Sequence, residues 1–294
     1  MERLRVAVTG GAGRLGRYVT RTLAGQHAVR VLDTAPPSGA DQRQVDVRDL
    51  AALRTALQGI EAVVHLAAID RSVPAPEADI FHTNVQGTWN VLHAAEQEGV
   101  RRVVLCSSVA AIGLDHSNPG MPPLYLPVDE AHPLRPSDTY GTSKRAGEAI
   151  AEASARRGRI EVLALRPAFV AFPEAHGFMR GGALSPGPDG GPRDEPLPTL
   201  RGYVGPEDCA RAFLLALAVA EYRGFEAFLV TADDAFCDAP TVPRLEALYG
   251  CRIPVRDAAR YEGDPHASAF TNASARARLG WSPTTRWPDR LSDA

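Results

Sequence analysis

Lysine is almost missing from this chain: 31 of its 32 basic residues are arginine, and the one lysine is Lys144. Cysteine is scarce as well. Cys106, Cys209, Cys237 and Cys251 lie 103, 28 and 14 residues apart, too sparse for a disulfide framework or a Cys-rich zinc site, so a reducing, cytoplasmic setting is expected. No run of about 18 apolar residues exists. The opening MERLRVAVTGG enters a strand pattern at once instead of passing through a signal-like apolar region, so neither secretion nor a membrane span is expected. Excess charge is absent too: 32 basic against 35 acidic side chains leave −3, no positive field for gripping nucleic acid or anionic lipid. What remains is a 294-residue chain, 45% apolar and 23% charged, with the composition of a globular protein built round a large core.

Short apolar runs rich in valine and leucine recur at 4–9, 29–32, 62–66, 103–106 and 162–165 and read as buried strands. Helical spacing fills the gaps at 15–23, 50–57, 80–98 and 139–157. Strand alternating with helix predicts an α/β fold of the Rossmann type, a doubly wound parallel sheet with helices on both faces. From 173 to 198, 12 of 26 residues are Gly or Pro, which excludes a helix or central strand and suggests a loop that closes over a site. A helix at 207–220, a strand at 227–231 and a short helix at 274–279 follow. The expected division is a dinucleotide-binding domain at 1–172 and a small C-terminal substrate cap at 173–294 that includes returning elements of the core.

TGGAGRLG directly follows the first strand and opens the first helix, with glycines at 10, 13 and 16. Glycines there let the backbone turn tightly against a pyrophosphate, and the helix amino terminus offers free N–H groups. Gly10, Gly13, Arg14, Leu15 and Gly16 are thus candidate cofactor contacts. Asp33 closes the second strand 17 residues after Gly16, where a carboxylate bonds ribose hydroxyls and repels a 2′-phosphate. NAD is expected over NADP, with Arg14 partly offsetting that preference. Tyr140 and Lys144, four apart in TYGTSK, share one helix face. A phenol of pKa about 10 is a poor base at neutral pH, and a close ammonium is expected to lower it, making the pair a general base. VVLCSS supplies Ser107 and Ser108 at a strand end, either of which suits a substrate oxygen.

Together these residues resemble the extended short-chain dehydrogenase/reductases, the NAD-dependent epimerase/dehydratase family. The likeness spans nearly the whole chain. Its glycine loop falls on residues 9–16, its adenine-side Asp-Val on Asp46 and Val47, its strand-end Leu-Ala-Ala on Leu66, Ala67 and Ala68, and its helix asparagine on Asn84. The resemblance implies Ser108, Tyr140 and Lys144 as catalytic residues, and Arg166 and Pro167 as opening the segment that passes the nicotinamide. It implies a homodimer through the helices at 80–98 and 139–157. The terminal ARARLGW is similar to the family's final docking helix.

Nucleotide-sugar members carry an arginine before a Tyr-Val strand, matched by Arg201 in LRGYV, a candidate substrate contact suited to an anionic group. Their second arginine falls on Tyr261, Phe169 stands where epimerases often have asparagine, and the stretch 166–201 is short. A smaller substrate is implied: a sugar, sugar acid or polyol, as in the uronate dehydrogenases that the shortened cap resembles. Val109, Ala110 and Ala111 follow Ser108, so the acids a dehydratase needs there are lacking. His65, His82, His93 and His116 have no metal-ligand spacing, and no metal is expected. The pattern round His82 and Trp89 reads as core packing. The leading expectation is a dehydrogenase or reductase. The alternatives are an epimerase that retains its cofactor and a non-catalytic dinucleotide sensor on the same fold.

Overall fold

Alternate residues of the central strands point to opposite sides, and both sides are apolar. The computed structural model describes residues 3–39, 41–114, 121–177, 179, 199–220, 224–237 and 239–287. Strands β1 (Arg5–Thr9), β2 (Ala28–Asp33), β3 (Gln42–Gln44), β4 (Ala62–His65), β5 (Arg102–Cys106), β6 (Glu161–Pro167) and β9 (Phe225–Val230) form one seven-stranded sheet in the order β3-β2-β1-β4-β5-β6-β9. Every pair in it is parallel. Val6, Val8, Val64, Val104, Leu163 and Leu165 face one layer, made by Val19 and Leu23 of α1 (Arg14–Ala24) and Phe213 and Leu217 of α6 (Pro206–Ala218). Their neighbours Ala7, Val63, Val103, Leu105, Val162 and Ala164 face the other. That second layer comprises α2 (Leu50–Leu57), α4 (Gly87–Gln97) and α5 (Thr139–Arg156). The fold is the doubly wound α/β sheet that the sequence predicts.

The expected helix at 80–98 is instead α3 (Glu77–Phe81), one wide π-type turn (His82–Gln86) and α4. Periodicity at 3.6 residues cannot register such an inserted residue, which tends to mark functional positions. Trp89 on α4 is exposed and stacked on His93 at 4.8 Å, correcting the expectation of core packing there. The expected short helix at 274–279 is also a π-type turn, Ala275–Leu279. Behind it Trp281 is fully buried, its Nε1 donating to Asp208 O at 2.8 Å.

Beyond β6 the chain forms a two-stranded pair, β7 (Phe169–Val170) with β8 (Tyr203–Val204), then α6 and β9, then α7 (Thr241–Tyr249) and α8 (Ala258–Gly263). Most of the Gly/Pro-rich stretch 173–198 lies outside the described residues. Among the described residues no helix is long and apolar enough to cross a membrane, and no group of three or more His, Cys, Asp or Glu side chains is placed to hold a metal ion.

β1 and β4 lie side by side where the sheet's winding reverses, so a crevice opens over their carboxyl ends. Gly10 makes that closeness tolerable: its φ is 68° and an added Cβ would stand 2.7 Å from the Ala67 backbone nitrogen. Gly10→Ala should therefore lower unfolding stability by about 2 kcal/mol or more, read from urea denaturation midpoints. Gly25→Ala is the control, since Gly25 has φ −65° and nothing closer than 3.6 Å; it should leave stability unchanged or raise it by about 0.4–1 kcal/mol.

Candidate active site

The glycine turn is bonded to both neighbouring strands: Gly10 N donates to Leu32 O at 2.8 Å, and Leu66 N donates to Thr9 O at 3.1 Å. Gly16 packs so tightly into the turn that an added Cβ would lie 2.1 Å from Gly10 O. Helix α1 starts at the N-cap Gly13 with no side chain capping it, so its first-turn N–H groups are available to an anion. Leu15, half-buried, packs on the core below. Asp33 ends β2 beside this turn, its carboxylate accepting from Ala12 N at 2.9 Å and Ala35 N at 3.0 Å. Arg14 is engaged elsewhere, over the Phe172 ring at 4.3 Å and paired with Glu174 at 3.3 Å. Asp46 pairs with Arg48 at 2.6 Å, which holds its carboxyl below the usual range. Buried Val47 accepts a hydrogen bond from Asn90 Nδ2 on its carbonyl at 2.9 Å.

A chain of hydrogen bonds that the motifs did not reveal ties these strand ends together. Thr88 Oγ1 donates to Asn84 O at 2.6 Å, so its hydroxyl must accept from His65 Nε2, 3.1 Å away. His65 Nδ1 then accepts from Thr9 Oγ1 at 2.7 Å, and Thr9 Oγ1 accepts in turn from Ala67 N at 3.3 Å. The imidazole is neutral: burial, helped by the Lys144 charge, lowers its pKa to about 3. Asn84, inside the π-type turn, accepts from Ile69 N at 2.8 Å and donates to Ile69 O and Ser143 Oγ, both at 3.0 Å. It pins the loop that carries Ala67 and Ala68 to α5.

Ser108, Tyr140 and Lys144 are brought together at the carboxyl edge of β5. Asp138 caps α5, accepting from Gly141 N at 2.9 Å, and so presents Tyr140 in the first turn. A side-chain hydrogen bond joins Ser108 to the phenol. The choice between the two serines is made by packing. Ser107 Oγ donates to buried Glu148 Oε1 at 2.5 Å, and Glu148 takes both Arg166 Nε (2.9 Å) and Arg166 Nη2 (2.7 Å). Ser107 is thus committed to the core, while Ser108 stays half-exposed beside Tyr140.

One electrostatic expectation is corrected. The Tyr140 phenol is pushed up, first by burial and then by Asp70 and Cys106, against the Ser108 hydrogen bond and Arg71. Lys144 is nine-tenths buried and its Nζ donates to Cys106 O at 3.0 Å; burial lowers its pKa as well. Burial therefore outweighs the lowering expected of the ammonium.

Pro167, at the end of β6, leads into β7, which pairs with β8 two residues after Arg201. Leu200 and Arg201 both have left-handed backbone, φ 54° and 60°, a strained geometry for residues other than glycine. The Arg201 guanidinium lies 5.3 Å from the Phe236 ring centroid. Tyr261, at the position that the resemblance gives to a second arginine, donates to Ser268 O at 3.2 Å. A second cation reaches this place from another element: Arg244 of α7 donates to Leu200 O at 3.2 Å and its charge acts on Arg201. No local motif announces it.

Buried His65 has a consequence for acid stability. An unfolded histidine binds a proton near pH 6.5, whereas His65 stays neutral down to about pH 3, so between those values the unfolded chain holds more protons. Stability should fall as pH drops through that window, by at most about 1.4 kcal/mol per unit from this group. Urea midpoints at pH 7 and pH 4.5 should converge in His65→Gln relative to the parent; an identical pH dependence in both would count against it.

A model of the NAD dependent epimerase/dehydratase family matches residues 6–184. L-arabinose 1-dehydrogenase (NAD(P)(+)) of Haloferax volcanii is 36% identical over 170 residues, covering 55% of this chain and 65% of that protein. For three curated sugar dehydrogenases the match spans 58–65% of their length. UDP-glucose 4-epimerase of Streptomyces lividans is 31% identical across 98% of this chain and 94% of its own. The crystal structure of a short-chain dehydrogenase/reductase superfamily protein from Agrobacterium tumefaciens with bound NAD is 27% identical, superposes with a TM-score of 0.71, and covers 99% of this chain and 95% of that one. With its glycine turn, doubly wound sheet and matching residues, the chain belongs to the NAD-dependent epimerase/dehydratase family.

Proposed function

We propose that this protein is an NAD-dependent oxidoreductase that moves hydride between a nicotinamide and a carbinol or carbonyl carbon of a small sugar, sugar acid or polyol. The observation that carries the reading is the gathering of Ser108, Tyr140 and Lys144 at one sheet edge while Ser107 is diverted into the core. The residues fit the dinucleotide: Gly10 and Gly16 leave no room for a side chain, and the α1 amino terminus lacks a side-chain cap. Gly10, Gly13, Arg14, Leu15 and Gly16 would hold its pyrophosphate, Asp33 a ribose, Asp46 and Val47 the adenine side, and Leu66, Ala67, Ala68, Asn84, Tyr140, Lys144 and Pro167 the remainder. The Asp33 carboxylate disfavours a 2′-phosphate, so NAD is preferred to NADP.

When bound, NAD supplies the hydride acceptor. Ser108 holds the substrate hydroxyl, Tyr140 in its phenolate form takes the hydroxyl proton and becomes the neutral phenol, and the C–H electron pair leaves as hydride from the same carbon. Lys144 braces the ribose and the phenol. Residues 173–294 supply a small cap together with the elements α6 and β9 that return to the core sheet, and Arg201, with Arg244 beside it, meets a polar or anionic end of the substrate. Four free cysteines accord with a cytoplasmic setting.

The test is to incubate the protein with NAD and a panel of aldoses, uronic acids, polyols and UDP-sugars. NADH should accumulate with a small sugar-like substrate, and Tyr140→Phe should lower turnover by about 10²-fold or more, far more than it lowers calorimetric NAD affinity, since the ring that packs on the dinucleotide is kept and only the hydroxyl is lost. A second reading, epimerisation, is favoured by the near-complete alignment with the Streptomyces epimerase; it predicts interconversion of UDP-sugars without net NADH.

We also propose a homodimer through the outer faces of α3, α4 and α5, because Phe81 and Trp89 are 46% and 45% exposed there, an unusual placement for large apolar side chains. Light scattering should give twice the chain mass, falling to one chain in Trp89→Asp.

A further inference from the structure

Two cations lie near the Tyr140 ring. Lys144 Nζ lies 5.5 Å from its centroid and Arg71 Cζ 5.9 Å. Lys144 comes from α5 itself, four residues along. Arg71 comes from the loop after β4 and is fixed by an ion pair, Nη2 to Asp138 Oδ2 at 2.6 Å. Asp138 does two things at once, since its other oxygen caps α5 by accepting from Gly141 N. The carboxylate that starts the helix bearing Tyr140 therefore also sets the cation over its ring. Both partners of the ion pair are partly exposed, and pairs of that kind add little stability. What the arrangement provides is placement of charge.

We propose that Arg71 is a positioning residue for the reaction, a second cation that steadies the Tyr140 phenolate beside Lys144, with Asp70 working against it; this rests on the reading of Tyr140 as proton acceptor. The groups facing the phenol come from three elements. Asp70 and Arg71 approach from the loop after β4, Cys106 and Ser108 from the end of β5, and Lys144 from α5 with Asp138 at its cap. Asp70 is held in place by Ser72, whose N and Oγ both donate to Asp70 Oδ1, at 2.8 and 2.5 Å. Its carboxylate and Cys106 disfavour the phenolate, while Arg71 and the Ser108 hydrogen bond favour it. Lys144 Nζ also donates to Cys106 O, and Arg71 adds a second positive charge near the ring from a different element. Adjacent residues of opposite sign thus adjust, on top of the larger effect of burial, the basicity of one tyrosine, and exchanging either shifts the pH range of the reaction.

The experiment is a rapid pH-jump titration of tyrosinate absorbance in the 294-residue chain, read before alkaline unfolding, with Tyr140→Phe subtracted to isolate the one phenol. Arg71→Gln should raise the Tyr140 midpoint by about half a pH unit or more, Asp70→Asn should lower it by a similar amount, and Arg71→Lys should stay near the parent. A merely structural arginine would leave all the midpoints together, and coincident midpoints in Arg71→Gln, Asp70→Asn and the parent would overturn the proposal. Turnover retained by Tyr140→Phe would instead overturn the underlying reading whatever the titration gives, so the two failures are told apart.

Discussion

Arg166 and Glu148 face each other almost out of reach of water, joined by two hydrogen bonds, and the carboxyl edge of β5 and β6 is arranged around that pair. Glu148 stands one turn beyond Lys144 on α5, so the pair anchors the helix to β6 from within. The same carboxylate receives the Ser107 hydroxyl and so fixes the end of β5. On its far side Arg166 donates to Glu130 O at 3.3 Å, while the Glu130 carboxylate accepts from Leu229 N at 2.8 Å, linking the pair to β9. Two buried charges are retained at a desolvation cost, and removing one partner of such a pair typically costs about 3–5 kcal/mol because the other is stranded. A single arrangement of α5, β5 and β6 satisfies it.

The sheet and the glycine turn were legible because they depend on local rules. Continuous apolar runs become central parallel strands, and a glycine-rich link from strand to helix leaves N–H groups free. The Tyr140–Lys144 spacing was legible for the same reason, since four residues along a helix is a contact. Other features depend on residues far apart in the chain. Nothing near Ser107 shows that its hydroxyl belongs to Glu148, 41 residues on, so the sequence leaves two serines where packing leaves one facing the site. Arg71 and Arg244 are two arginines in a chain full of them, and only the tertiary fold sets them beside Tyr140 and Arg201. The electrostatics of Tyr140 are not legible for a related reason: helix geometry brings the ammonium near the ring, but the burial that dominates the phenol is a product of the tertiary fold.

His65 illustrates how a buried polar residue is accommodated without charge. Each of its nitrogens meets a threonine hydroxyl, and those hydroxyls pass the hydrogen-bond direction on to Ala67 at one end and Asn84 at the other. A satisfied polar chain of this kind rigidifies the crevice between β1 and β4. A neutral ring is also what its neighbour requires, since a second buried cation beside Lys144 would repel it.

The scarcity of lysine turns the buried Lys144 into a chemical address. Reagents or modifying enzymes that seek a side-chain amine find one target in the whole polypeptide, and it is nearly closed to solvent behind Cys106 and Tyr140. Reductive alkylation, which is selective for amines, would therefore report on the opening of this one crevice with no other side chain competing. The arginine-coated exterior keeps its positive charge under conditions that would neutralise a lysine-rich one.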